Sequence, residues 1–309
     1  MEDNIVAISD YFKGFTNSKI DTEDDIFINT WKGGNGKEAI LLLHGHPESH
    51  LMWRDVAPEL SKNYTVVAAD IRGYGESSKP KGLPDHSNYS KRVMAKDMIT
   101  VMKKLGIEKF HIAGHDRGGR VCHRLMLDYP EQIKSCTILD VIPTYDIYQA
   151  TNAEMAQKYW HWFFFTQPFD FPEKFLSSQP DYMIRSNFAK KTIPGATRPN
   201  AFPEDVVQEY IRIYSNPATV HAICEDYRAG WGIDMEHDLP DRERTIKTPI
   251  FCQWGSDGQI CKFWDVLTTW KKLASDVRGH SVPRCGHFIP EEQPEVVIQG
   301  IREHIERNK

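Results

Sequence analysis

The stretch that most constrains this chain is Phe110-His111-Ile112-Ala113-Gly114-His115-Asp116-Arg117-Gly118-Gly119-Arg120. An apolar run of strand type ends in Gly-x-Asp-x-Gly, and a helix-prone segment follows. That is the layout of a sharp strand-to-helix elbow, which holds one side chain up at the end of a sheet. Asp116 stands where the Gly-x-Ser-x-Gly pattern would put serine, and the exchange changes the chemistry. A serine that attacks sp3 carbon gives an ether, which water does not readily cleave. A carboxylate that attacks the same carbon gives an ester, which an activated water can hydrolyse. The elbow therefore points to substitution at saturated carbon, such as dehalogenation or epoxide opening, rather than to ordinary ester hydrolysis.

The chain is long enough for one large α/β unit with an insertion, or for two small domains. It has 309 residues, 40% hydrophobic and 26% charged, the balance of a soluble globular protein. A net charge of −5 gives no global bias toward nucleic acid. No apolar run approaches the roughly 20 residues of a membrane helix, so no membrane partner is expected. The start, Met1-Glu2-Asp3-Asn4, is acidic and unlike a secretory leader, which points to the cytoplasm. Six scattered cysteines, none in a Cys-x-x-Cys pair, read as reduced thiols and offer no zinc spacing. His44, His46 and His50 lack a suitably spaced further ligand, so no metal is expected there, and displacement by a carboxylate followed by hydrolysis calls for no organic cofactor.

Short apolar runs at Ala39–Leu43, Tyr64–Ala69, Phe110–Ala113, Cys136–Leu139 and Pro249–Trp254 read as buried strands, and Val277–Val282 as a further one. Helical spacing of Met94, Met98, Val101, Met102 and Leu105 predicts a helix over 91–105. Another helix follows the elbow and stops before Pro130. A last one carries Val297, Ile298, Ile301 and Ile305 on one face. This alternation predicts an α/β fold whose central sheet is mostly parallel and flanked by helices. The pattern breaks near Pro143. From there to Asp238 the chain is aromatic and helix-prone without clear strands. The expected division is a core of 1–142 and 239–309 with a helical cap, 143–238, inserted between its halves.

Asp116, an acid after the next strand, and His287 near the C-terminus follow the order nucleophile, acid, histidine. His287 would take a proton from water, and Asp140 would hold its imidazole and stabilise the imidazolium. Asp257, after a later strand, is the alternative acid. Backbone N–H groups at His46 and Arg117 suit an oxyanion hole. Arg117 and Arg120 lie three residues apart at the helix start, on about the same face. Guanidinium groups bind carboxylates in bidentate fashion, so this pair suits a small anionic substrate.

The chain resembles the fluoroacetate (haloacetate) dehalogenases of the α/β-hydrolase superfamily over about residues 20 to 300. The resemblance rests on His44-Gly45-x-Pro47 with Met52-Trp53, Asp70-x-Arg72-Gly73-Tyr74-Gly75-x-Ser77 and His115-Asp116-Arg117-Gly118-Gly119-Arg120. It continues in Leu139-Asp140-x-x-Pro143-Thr144-Tyr145, Tyr159-x-His161-Trp162, Cys224-Glu225-Asp226-Tyr227-Arg228-Ala229-Gly230 and Gly286-His287-Phe288-x-Pro290-Glu291-Glu292. It implies the α/β-hydrolase fold with a cap, hydrolysis of a haloacetate, a homodimer, and halide binding by His161, Trp162 and Tyr227. One departure is His46, where such enzymes often carry an apolar aromatic, and it bears on which halogen fits. Two other readings share the scaffold: an epoxide hydrolase, with the same aspartate and histidine plus cap tyrosines, and a non-catalytic small-molecule receptor. An anionic substrate needs the arginine pair, a neutral epoxide does not, and ligand turnover separates enzyme from receptor.

Overall fold

Eight strands form one sheet: β1 (Thr16–Glu23), β2 (Ile26–Gly33), β3 (Ala39–Leu43), β4 (Thr65–Ala69), β5 (Phe110–His115), β6 (Ile133–Leu139), β7 (Ile250–Gly255) and β8 (Val277–Val282). The computed structural model describes residues 8–23, 25–192, 198 and 201–309. The order across the sheet is β1-β2-β4-β3-β5-β6-β7-β8. From β4 to β8 every neighbouring pair is parallel. The apolar runs become these strands because both faces of a parallel sheet are covered, so each residue along them can be buried. In β3 and β5 every residue is buried.

The β1–β2 hairpin was not anticipated from the sequence, and it joins the sheet antiparallel at one edge. The residues of β1 read Thr-Asn-Ser-Lys-Ile-Asp-Thr-Glu and are mostly exposed. An edge strand with a wet face has no need of an apolar run, so the signal that reveals buried strands is missing.

Helices Lys91–Lys104 and Asp116–Asp128 pack together, and Pro294–Arg307 packs on β6 and β7. Among the described residues, the chain between β6 and β7 forms eight helices and no strand. The last of them, Ile233–Asp241, runs across the expected boundary at 238. The six cysteines are free thiols, five of them buried. No helix of the described residues is long and apolar enough to cross a membrane.

Candidate active site

Four loops meet at the carboxyl ends of the parallel strands, where open α/β sheets bind ligands. β3 leads to His44–His46, β5 to Asp116, β6 to Asp140 and β8 to His287. Asp116 and Asp140 both hold positive φ, 43° and 48°. That backbone is costly for a side chain with a Cβ and persists only where the surroundings enforce it. At the elbow the enforcement is close packing of the helix start. A Cβ on Gly118 would lie 2.4 Å from the Leu43 carbonyl oxygen, so only glycine lets this helix approach β3 so closely.

His287 lies between two carboxylates. Its Nδ1 donates to Asp140 Oδ2 at 2.6 Å, and its Nε2 sits 3.5 Å from Asp116 Oδ2. Asp140 is therefore the acid that meets the histidine. Asp257 is exposed and accepts a bond from the Ser256 hydroxyl instead. Burial alone would lower the His287 pKa, but its contacts with Asp116 and Asp140 outweigh burial and raise it to about 9. Burial would raise Asp116, but His287 and Arg120 hold it well below the usual carboxylate range. The resting pair is thus an ionised aspartate facing an imidazolium.

A second histidine braces the first. His115 Nε2 meets the His287 carbonyl oxygen at 2.8 Å, and Nδ1 lies 3.0 Å from Glu48 Oε2. A carbonyl only accepts, so Nε2 carries the proton. Burial chiefly lowers His115 to about 4, so the ring is neutral. Burial chiefly raises Glu48 to about 7. The His287 backbone N–H donates to the Lys191 carbonyl at 3.0 Å. Glu48, His115 and Lys191 were missed from sequence.

The backbone N–H groups of His46 and Arg117 have no acceptor among the described residues. Arg117 lies in the first turn of its helix, where such groups are left unpaired. Both arginines are buried beside Asp116. Arg120 donates from Nη1 to the Ile142 carbonyl at 3.1 Å and to Thr144 Oγ1 at 3.0 Å. Arg117 donates from Nε and Nη2 to the Asp226 carboxylate at 2.7 and 2.8 Å. Nη1 of Arg117 and Nε of Arg120 are buried without an acceptor. The Arg117 guanidinium lies 4.2 Å from the Tyr227 ring centre and that of Arg120 4.6 Å from Trp162.

The three side chains expected from the cap stand together. The Tyr227 ring centre is 5.8 Å from that of Trp162 and 6.3 Å from that of His161. None of their side-chain polar atoms hydrogen-bonds to another described residue. Burial chiefly holds the His161 pKa well below its ordinary value, so the ring is a neutral donor. His46 is part of the same wall, 5.8 Å from Tyr227 and 5.6 Å from Phe165. Burial lowers it to about 3, so it brings dipoles and no charge.

His44 and His50 are committed elsewhere. His44 Nδ1 donates to the Gly45 carbonyl at 2.8 Å while Nε2 accepts the Ile71 N–H at 3.1 Å, and His50 Nδ1 meets Asp70 at 2.9 Å. One cluster among the described residues has the ligand types of a metal site: Glu173, His221 and Glu225. The Arg228 guanidinium already occupies it, donating to both glutamates at 2.7 Å.

A sheet of this topology with an acid–histidine pair at its carboxyl end defines a hydrolase class. Residues 38–294 match the family described as alpha/beta hydrolase fold, and the chain belongs to that family. It is 41% identical over 294 residues to the fluoroacetate dehalogenase of Burkholderia sp, covering 95% of each chain. It is 32% identical to the soluble epoxide hydrolase of Corynebacterium sp. (strain C12), covering 84% of this chain and 87% of that one. A solved alpha/beta hydrolase structure from Nostoc sp PCC 7120 superposes with a TM-score of 0.90 at 47% identity, covering 95% of this chain and 99% of that one.

Proposed function

We propose that the protein hydrolyses a haloacetate, with fluoroacetate as the substrate and glycolate, halide and a proton as products. The observation that carries this reading is the pair of buried guanidinium N–H donors, Arg117 Nη1 and Arg120 Nε, left without acceptors beside an ionised aspartate. A neutral epoxide has no use for them. A carboxylate satisfies them, and without one they remain costly buried donors.

Asp116 Oδ2 attacks the α-carbon in line while the substrate carboxylate is held by Arg117 and Arg120. The carbon–halogen bond breaks toward His161, Trp162 and Tyr227. Fluoride is small and strongly hydrated, so its departure requires aimed donors in place of water: an imidazole N–H, an indole N–H and a phenol O–H. The product is a glycolyl ester on Asp116. Esterification removes the Asp116 charge, which was one of the two supports of the His287 imidazolium. The His287 pKa then falls and the ring gives up its proton to solvent. As the neutral base it takes a proton from water, which attacks the ester carbonyl. Asp140 stabilises the imidazolium that re-forms. The N–H groups of His46 and Arg117 stabilise the oxyanion.

Halide release from fluoroacetate and chloroacetate tests the reading, with Asp116→Asn as control. Fluoride release by the parent protein, abolished in the variant, is the expected result. Chloride release alone would relocate the preference to the pocket around His46. No halide from either would sink the assignment and turn attention to neutral epoxides.

A further inference from the structure

Arg117 can grip a substrate only with the part of its guanidinium that the protein leaves free. Asp226 occupies Nε and Nη2, and the Asp226 backbone carbonyl accepts from Nη2 as well at 2.9 Å. Asp226 is itself fixed from the core. The Tyr74 hydroxyl donates to its Oδ2 at 2.7 Å, and the Lys91 ammonium donates to its Oδ1. Lys91 is held in turn by Asp234, which accepts from its backbone N–H at 2.8 Å and lies 3.4 Å from its Nζ. Arg117, Asp226 and Asp234 are at most a few per cent exposed. The two aspartates come from helices Pro217–Trp231 and Ile233–Asp241, whereas Lys91, Tyr74 and Arg117 belong to the sheet side of the junction. Each Asp226 oxygen therefore has two donors, and the guanidinium plane has no freedom to turn.

We propose that Asp226, clamped by Lys91 and Tyr74, is the positioning residue that aims Arg117 Nη1 at the substrate carboxylate. Recognition of the anion then belongs to this buried relay and not to Arg117 alone. The ligand class rests on the haloacetate reading above, but the geometry predicts a sign that a simple counterion would not give. A carboxylate that merely neutralised Arg117 would weaken anion binding, so its removal would tighten it. A carboxylate that aims the fork holds the productive orientation, so its removal loosens binding.

The test is calorimetric titration of the full chain with acetate, which needs no turnover. Asp226→Asn, Tyr74→Phe and Lys91→Met are compared with the parent, and circular dichroism confirms that each is folded. The expected result is an acetate Kd about tenfold or more weaker in Asp226→Asn, and a change of the same sign in Tyr74→Phe and Lys91→Met. If Asp226→Asn does not fold, Tyr74→Phe carries the test, because it removes one clamp on Asp226 without changing any charge and leaves the Arg117–Asp226 pair in place. An unchanged or tighter Kd in a folded variant overturns the proposal, as does a parent protein that binds no acetate. Acetate binding that follows the expected pattern, in a protein that releases no halide, would remove the dehalogenase reading and leave the relay standing.

Discussion

Asp116 and His287 set each other's charge, and in the proposed reaction that coupling would time its two halves. His287 is raised to about 9 against an ordinary value of 6.5. A group raised in the folded state stabilises the fold fully below its unfolded pKa and loses that contribution as pH rises through the folded one. The thermal midpoint should therefore fall as pH climbs from about 6.5 through about 9. Asp116→Asn imitates the uncharged ester. In that variant the His287 pKa, read by NMR of the imidazole, should drop by roughly one unit or more. An unchanged value would mean that ester formation does not switch the base on. Asp116, Asp140 and His287 were legible because their order along the chain follows strand ends. Asp226 was not, since sequence does not say which carboxylate meets a buried arginine. Its place beside Tyr227 was the available signal.

The elbow helix shows how an element carries a site. Asp128 ends it, Asp116 begins it, and Gly118 lets its first turn lie against β3. Gly118→Ala would place a methyl 2.4 Å from one backbone oxygen, that of Leu43, and 2.5 Å from another, that of His44. Backbone cannot yield cheaply, so a loss of about 1–3 kcal/mol is expected in urea unfolding, with displaced Asp116 and reduced turnover. A variant as stable as the parent would contradict the close-packing argument. In helix Pro217–Trp231 burial covers almost every residue from Thr219 to Gly230. That is why its sequence lacks a clean amphipathic stripe and why 143–238 could be read only as helix-prone. The parallel strands were legible for the opposite reason, as continuous apolar runs, and the polar edge strand β1 was not.

At the scale of the molecule, a chain of net charge −5 gathers unpaired guanidinium donors at the end of its sheet. The scaffold is common to hydrolases, and its relatives include a dehalogenase and epoxide hydrolases. Chemistry on it is set by the residue at the elbow and by the side chains that the inserted helices bring over it. In the proposed reaction Asp116 forms an ester that His287 then clears, so the ester should accumulate when the base is removed. The most direct test is intact-mass and peptide analysis of His287→Gln after incubation with chloroacetate. One carboxymethyl group per chain is expected, esterified to Asp116 and absent from an Asp116→Asn, His287→Gln double variant. A chain that releases chloride without ever carrying the adduct would contradict it.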